Sequence, residues 1–497
     1  MNAMDQTRAP LYEALMAYTS RNPVRLHVPG HKGRPSLFSN GSMNSQLLAW
    51  DVTELPETDD LHHPTGAIAD AQRLAADCFG AEETYFLVGG STVGNLAMIL
   101  SVCDPGGLLL VPRNVHKSVI HALMLAKACA VFLPPMWEAD SGIASGVSPT
   151  SVREALERYP DADGVMITNP NYYGLGTEVS VIADIAHSFG KPLLVDEAHG
   201  AHFGFHRKLP RSAMQCGADA AVQSSHKMLS ALTMGAMLHV QGGRVSRDKL
   251  RKRLAMLQSS SPSYPIMVSL DLCRREIAQC GAETIETALH VLEDFSKRLH
   301  SLQRFELMFT QPSTAAYVNK DPFKLTLRDR FGIWSGFQLR DALEQFGCYS
   351  ELADEEHVLL AFSLYSSEND CDRLYDALTH LQGQMPRMKK ELHSFITNKD
   401  ISVLWSRISE PVSFEMDEPG LDQTVKASDS LNVVGCRSAE MIIPYPPGIP
   451  LIYAGEKITE PVLNQLRRLA QSGATFQGAT DPNLKTLRVY RDKLGKN

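Results

Sequence analysis

The chain has 497 residues, more than one ordinary domain holds, so two or three domains are expected. Its 44% hydrophobic and 21% charged residues are ordinary for a soluble globular protein. A formal net charge of -8 argues against nucleic-acid and anionic-membrane partners and suits a cationic small molecule.

Residues 1–65 read as an N-terminal arm, with a short amphipathic helix at Leu11 to Tyr18, a Pro/Gly/His-rich loop at His27 to Gly33 and a turn-rich stretch at Asp51 to His63. Residues 66–305 alternate helix and strand. Helices are predicted over 68–79, 91–100 and 115–126, and strands over 84–88, 108–112, 165–168, 193–196, 220–224 and 236–240. Short apolar strands separated by helices indicate a mainly parallel sheet covered on both faces. Residues 306–375 place strands at 324–327 and 358–362 around a helix at 336–346, which suits a small α+β domain. Residues 376–497 form a C-terminal segment of charged helix followed by an extended Pro-rich run at 444–450. No apolar run approaches the roughly 20 residues of a membrane span. The first residues lack the apolar core of a secretion signal. The nine cysteines form no C-x-x-C pair and read as reduced packing residues of a cytoplasmic protein.

Lys227 follows the apolar run Ala220-Ala221-Val222-Gln223, and Asp196 ends the run Pro192-Leu193-Leu194-Val195. A lysine and a carboxylate at two strand exits can face each other across the rim of a parallel sheet, where such sheets place ligands. The pair suits pyridoxal phosphate (PLP): the lysine condenses with the aldehyde, and the aspartate keeps the ring nitrogen protonated. Gly89-Gly90-Ser91-Thr92 follows a strand and opens a helix, offering free N–H groups and two hydroxyls to a phosphate, with Ser224 as a further hydroxyl. His116 lies near a helix start at the same rim, where it either stacks on a flat cofactor or caps the helix. His226 is a proton donor or charge partner beside Lys227. His199, His202 and His206 fit no helix-based metal pattern, because Gly200 and Gly204 break the register, and no metal is expected.

The runs HVPGHKG (27–33), DDLHHPTGAI (59–68), PRNVHKS (112–118), TNPNYYG (168–174), VDEAHGAHF (195–203), SSHKML (224–229), SSSPSYPIMVSLD (259–271) and PYPPGIP (444–450) together resemble the Orn/Lys/Arg decarboxylase family. The likeness is greatest to its shorter bacterial members, which lack an N-terminal wing domain. The resemblance implies an α/β fold, that of fold-type I, aspartate aminotransferase-like PLP enzymes, with smaller C-terminal α+β domains. It implies that Lys227 binds PLP, Asp196 pairs with the ring nitrogen and His116 stacks on the ring. Ser91, Thr92 and Ser224 would hold the phosphate, with Ala198 and His199 beside the cofactor. The segment around Ser261 and Tyr264 would reach a neighbouring subunit's cofactor, implying a homodimer or higher homo-oligomer. His199 stands where some relatives carry an aromatic residue.

The expected reaction is decarboxylation of a basic L-amino acid, arginine or lysine and after them ornithine, to CO2 and an amine for polyamine metabolism. Transamination on the same scaffold and a non-catalytic regulator are the alternatives. A cationic substrate end calls for carboxylates. The candidates are Asp59 and Asp60 on the arm and Glu351, Asp354 and Glu355, with Glu351 preferred because it follows a helix end and leads into the strand at Val358.

Overall fold

Apolar runs of four or five residues become strands buried on both faces, as Leu193–Asp196, Ala220–Gln223 and Ala236–Val240 show. The computed structural model describes residues 4–34, 45–311, 313–384, 405–414, 422–445, 450–471 and 475–490. Of the Pro-rich run 444–450, residues 446–449 lie outside the described residues. The chain divides into two units, Met1–Val102 with Val179–Glu286, and Cys103–Glu178 with Thr287–Asn497.

In the first unit the strands are ordered Glu83–Leu87, Ala236–Val240, Ala220–Gln223, Leu193–Asp196. Leu193–Asp196 and Ala220–Gln223 pair in parallel, with Asp196 opposite Val222. Ala236–Val240 is antiparallel to its neighbours on both sides. Only residues 224–235 separate it from Ala220–Gln223, and they hold no crossover helix of the length a parallel return requires. Two reversals restore direction, so Leu87, Asp196 and Gln223 all end at one rim. The helix Gly90–Val102 packs on this sheet through Gly94, where an added Cβ would lie 2.3 Å from Val222 Cγ2. A helix of 36 residues, Tyr264–Leu299, follows the Ser/Pro-rich stretch at 259–263.

In the second unit Gly164–Thr168, Leu108–Pro112 and Cys129–Leu133 pair in parallel, and Val412–Ser413 adds antiparallel to Cys129–Leu133. A separate antiparallel sheet is ordered Phe305–Leu307, Lys324–Asp329, His357–Ala361, Leu352–Ala353. The helices Gly336–Glu344 and Glu368–Gln382 each start from a serine capping box, at Ser335 and Ser367. Near the C-terminus the strands Asp422–Lys426, Thr486–Tyr490 and Arg437–Ser438 form a three-stranded sheet over a core that includes Val433, Ile452 and Leu463.

Candidate active site

Asp196 is the last residue of its strand and 3% exposed. Its Oδ2 accepts from Asn95 Nδ2 at 2.8 Å and its Oδ1 accepts from the Ala198 N–H at 3.1 Å. Each hydrogen bond to a buried carboxylate is worth about 1.5–3 kcal/mol, so the carboxylate is fixed before any ligand arrives. Asn95 lies one turn into the helix Gly90–Val102, which makes the glycine-rich turn and the aspartate one construction. Asn95 lies three residues beyond Thr92, but no one-dimensional signal tied it to Asp196, 101 residues away.

The strand ends at Gln223, one residue short of the predicted 220–224, and Ser224 stands at the N-cap position of the short helix Ser225–Met228, which carries His226 and Lys227, without a side-chain capping bond. Lys227 Nζ lies 3.0 Å from His199 Nε2. His226 Nδ1 lies 2.9 Å from the Gly235 carbonyl, which also accepts from the His226 backbone N–H. With Nδ1 as the donor, Nε2 is the atom that takes up or releases a proton. Burial pushes the His226 imidazole below its ordinary pKa; the Gly235 carbonyl opposes this and the Lys227 charge adds to it. The neighbouring Met234 carbonyl accepts from the Gly90 N–H at 2.9 Å. The turn ending at Gly235 therefore stitches the Ser91–Thr92 turn to the lysine segment.

Gly90 has φ +75°, in the region that favours glycine, which frees the chain to enter its helix directly from the strand. Ser91 is half-buried and Thr92 exposed at that helix start. The Ser224 and Ser225 hydroxyls are buried and make no hydrogen bond among the described residues. Orphaned buried hydroxyls are costly unless a ligand satisfies them. Together with a fixed buried carboxylate and a lysine, they fit PLP, with acceptors for a ring N–H and donors for a phosphate. The sequence carries no local signal that distinguishes the buried Ser225 hydroxyl from an ordinary surface serine.

Three further histidines follow Asp196. His199 faces Lys227, His202 is buried with its ring 4.8 Å from that of Phe203, and His206 Nε2 pairs with Glu286 Oε2 at 2.7 Å.

In the second unit His116 caps the helix Lys117–Ala126: its Nδ1 accepts from the Ser118 N–H at 3.2 Å and lies 2.8 Å from Ser118 Oγ. The cap fixes the ring's orientation at the exit of Leu108–Pro112. Arg113, in the same loop, is buried against Glu456 and the rings of Phe132 and Tyr453.

The carboxylate candidates separate by occupation. Asp59 accepts from the N–H groups of Asp60, Thr65, Gly66, Ile68 and Ala69. Burial opposes ionisation there, but those donors hold its pKa below the ordinary range. It organises the start of the helix Ala67–Phe79. Asp60 Oδ1 accepts from the His62 N–H at 2.8 Å. Asp354 accepts from Tyr173 Oη at 2.6 Å and pairs with His357 Nδ1 at 3.0 Å. Glu351 is exposed, and its N–H donates to the Leu359 carbonyl at 3.0 Å. Ser261 is exposed, whereas Tyr264 is fully buried and donates its hydroxyl to the Asp59 carbonyl at 2.6 Å.

The major-domain profile of the Orn/Lys/Arg decarboxylases matches residues 9–370, and their C-terminal-domain profile matches residues 424–484. The sequence is 41% identical to an uncharacterized protein, YaaO, of Bacillus subtilis, over 97% of this chain and 98% of that one. It is 35% identical to an arginine decarboxylase of Bacillus subtilis and 34% identical to one of Bacillus anthracis, over 99% of both chains in each case. The lysine decarboxylase LdcF of Francisella novicida has the same fold, with a TM-score of 0.82 over 97% of this chain and 81% of that one at 22% identity.

Proposed function

From the premise that this chain belongs to the Orn/Lys/Arg decarboxylase family and is an enzyme decarboxylating a basic amino acid, we propose that its substrate is L-arginine and that Lys227, Asp196 and their neighbours bind PLP. The observation that carries the site is the placement of Asp196 and Lys227 at and just past the ends of two parallel-paired strands, with Asn95 bonded to Asp196 and His199 in hydrogen-bond reach of Lys227. Support for arginine comes from relatives of matching length that bear that name.

PLP, when bound, supplies an aromatic electron sink for the bond broken at the substrate's Cα. Lys227 holds the cofactor through Nζ, with His199 Nε2 positioning that amine. Asp196 accepts the ring nitrogen's proton in a hydrogen bond and keeps the nitrogen cationic, while Asn95 and the Ala198 N–H stop the carboxylate from turning away. Ser91, Thr92 and Ser224 donate to the phosphate, and Ser225 adds a fourth hydroxyl. His116, oriented by its own cap, packs on the ring face. His226 Nε2, or the Lys227 amine once the substrate's amine has displaced it, would be the proton source for Cα. Glu351 and Asp60 are the carboxylates assigned to the substrate's cationic end.

We assign the protein to the cytoplasm and to polyamine biosynthesis, as a homodimer whose interface includes the exposed Ser261 and the segment before Tyr264. The cofactor domain is assigned to residues 66–305, after an arm at 1–65 and before smaller domains at 306–375 and 376–497. No helix among the described residues is long and apolar enough to cross a membrane.

The test gives the PLP-loaded protein L-arginine, L-lysine and L-ornithine separately and follows CO2 and amine. Arginine is expected to turn over fastest. A higher kcat/KM for lysine would overturn the substrate, and a keto acid in place of CO2 would overturn the reaction.

A further inference from the structure

Glu197 follows Asp196 and is fully buried, yet no step above uses it. Its Oε2 accepts from Gln223 Nε2 at 2.8 Å and its Oε1 from the Ala213 N–H at 2.8 Å. Gln223 Oε1 lies 3.1 Å from His239 Nε2, and His239 Nδ1 lies 2.8 Å from Thr84 Oγ1. With Nε2–H donating to the amide oxygen, Nδ1 accepts from the Thr84 hydroxyl. Every donor then points toward Glu197. Thr84, His239 and Gln223 sit on three successive strands and Glu197 on the exit of a fourth. All four are at most 4% exposed. Burial alone pushes His239 down to about 3, and burial pushes Glu197 up to about 8 against its two donors.

Neighbouring residues on a strand face opposite ways. Asp196 and Val222 face the helix Gly90–Val102, through Asn95 and Gly94. Glu197 and Gln223 therefore lie on the other face, each one residue from a cofactor-side group, Asp196 and Ser224. Apolar residues would fill this space without leaving donors to satisfy. A polar chain fixes register, because its geometry fails if one strand slips.

We propose that Glu197 is a positioning residue for the decarboxylation, ending a buried hydrogen-bonded chain that holds the strand exit carrying Asp196 in register with the one carrying Ser224 and Lys227. This rests on the assignment of Asp196 and Lys227 as cofactor ligands.

Above about pH 8, where Glu197 is ionised and accepts at both oxygens, Glu197→Gln must set its own amide N–H against a donor, either Gln223 Nε2 or the Ala213 N–H, and the comparison is made there. Adding Gln223→Glu repairs the chain: the new glutamate accepts from both the new glutamine and His239. PLP affinity, the bound-cofactor absorbance, kcat and KM are measured on the holoenzymes. Glu197→Gln alone is expected to weaken PLP binding and kcat by about tenfold to a hundredfold, the effect of one unsatisfied buried donor, with KM little changed. The double variant is expected to return to within about twofold of the parent. A Glu197→Gln enzyme with parental PLP affinity and kcat overturns the proposal, and so does a double variant no better than the single one. Lys227→Ala separates the underlying assignment: if it keeps the parental absorbance, the cofactor ligands are wrong however the Glu197 variants behave.

Discussion

Replacing Gly94 with alanine tests whether helix-to-strand contact sets the phosphate turn. The added Cβ would lie 2.3 Å from Val222 Cγ2, 2.9 Å from Val222 Cβ and 3.0 Å from Leu87 Cδ1. Ordinary carbon contacts lie at about 3.5–4.0 Å, so the nearest is short by more than an ångström. Val222 is β-branched and fully buried, so it cannot rotate out of the way. Overpacking of this kind costs about 1–3 kcal/mol, while alanine gains about 1 kcal/mol over glycine in a helix. With Val222 unable to yield, the cost falls in the upper part of that range, about 2–3 kcal/mol, leaving a net loss of about 1–2 kcal/mol. The helix must move off the sheet, and it carries both Ser91 and Asn95, so PLP affinity should fall with stability. Urea denaturation at constant m-value and a PLP titration measure the two effects. A variant as stable as the parent or more so, with unchanged PLP affinity, would refute the reasoning.

Glu456 neutralises Arg113 at 2.5 Å, where the guanidinium lies 4.7 Å from the Phe132 ring and 5.0 Å from that of Tyr453. Glu456→Gln leaves this buried cation uncompensated and should cost about 3 kcal/mol in urea denaturation. Tyr453 also donates to the Arg113 carbonyl at 2.9 Å, three residues before His116, so PLP affinity should drop in the same variant. His357 and Asp354 make stability depend on pH. Burial lowers the pKa of His357, but the Asp354 charge outweighs it and the folded value is raised. That contribution is complete below the ordinary value of 6.5 and is lost as pH rises through the folded value. Burial opposes ionisation of Asp354, yet His357 and Tyr173 hold its pKa low, so its contribution is lost only toward acid. His357→Gln should therefore flatten the decline in Tm as pH rises above the ordinary histidine value of 6.5. Parallel slopes for the two proteins would contradict the pairing.

The fold was legible where one local pattern decided the outcome. Leu108–Pro112, Leu193–Asp196 and Ala236–Val240 are continuous apolar runs bounded by turns, and each formed the strand expected of it. Direction was not legible: Ala236–Val240 reads like the strands of the sheet that pair in parallel, and only the length of the connection before it makes it antiparallel. The helix Tyr264–Leu299 was hidden behind a Ser/Pro-rich start that stood out as a motif. At the candidate site, Lys227, Asp196 and the glycine turn stood out because Asp196 ends a strand and the other two follow one. Asn95 and the chain from Thr84 to Glu197 did not, because their partners lie tens to more than a hundred residues away, and nothing local in the sequence marks the Ser225 hydroxyl as buried.

The most direct test of the cofactor site is to reduce the PLP-loaded enzyme with borohydride, digest it and locate the pyridoxyl label by mass spectrometry. Label on the peptide carrying Lys227 is expected, lost in Lys227→Ala together with CO2 release from the basic amino acid. Label on another lysine would contradict the site, and Lys324 is the sharpest contrast, since burial there pushes the amine's pKa down.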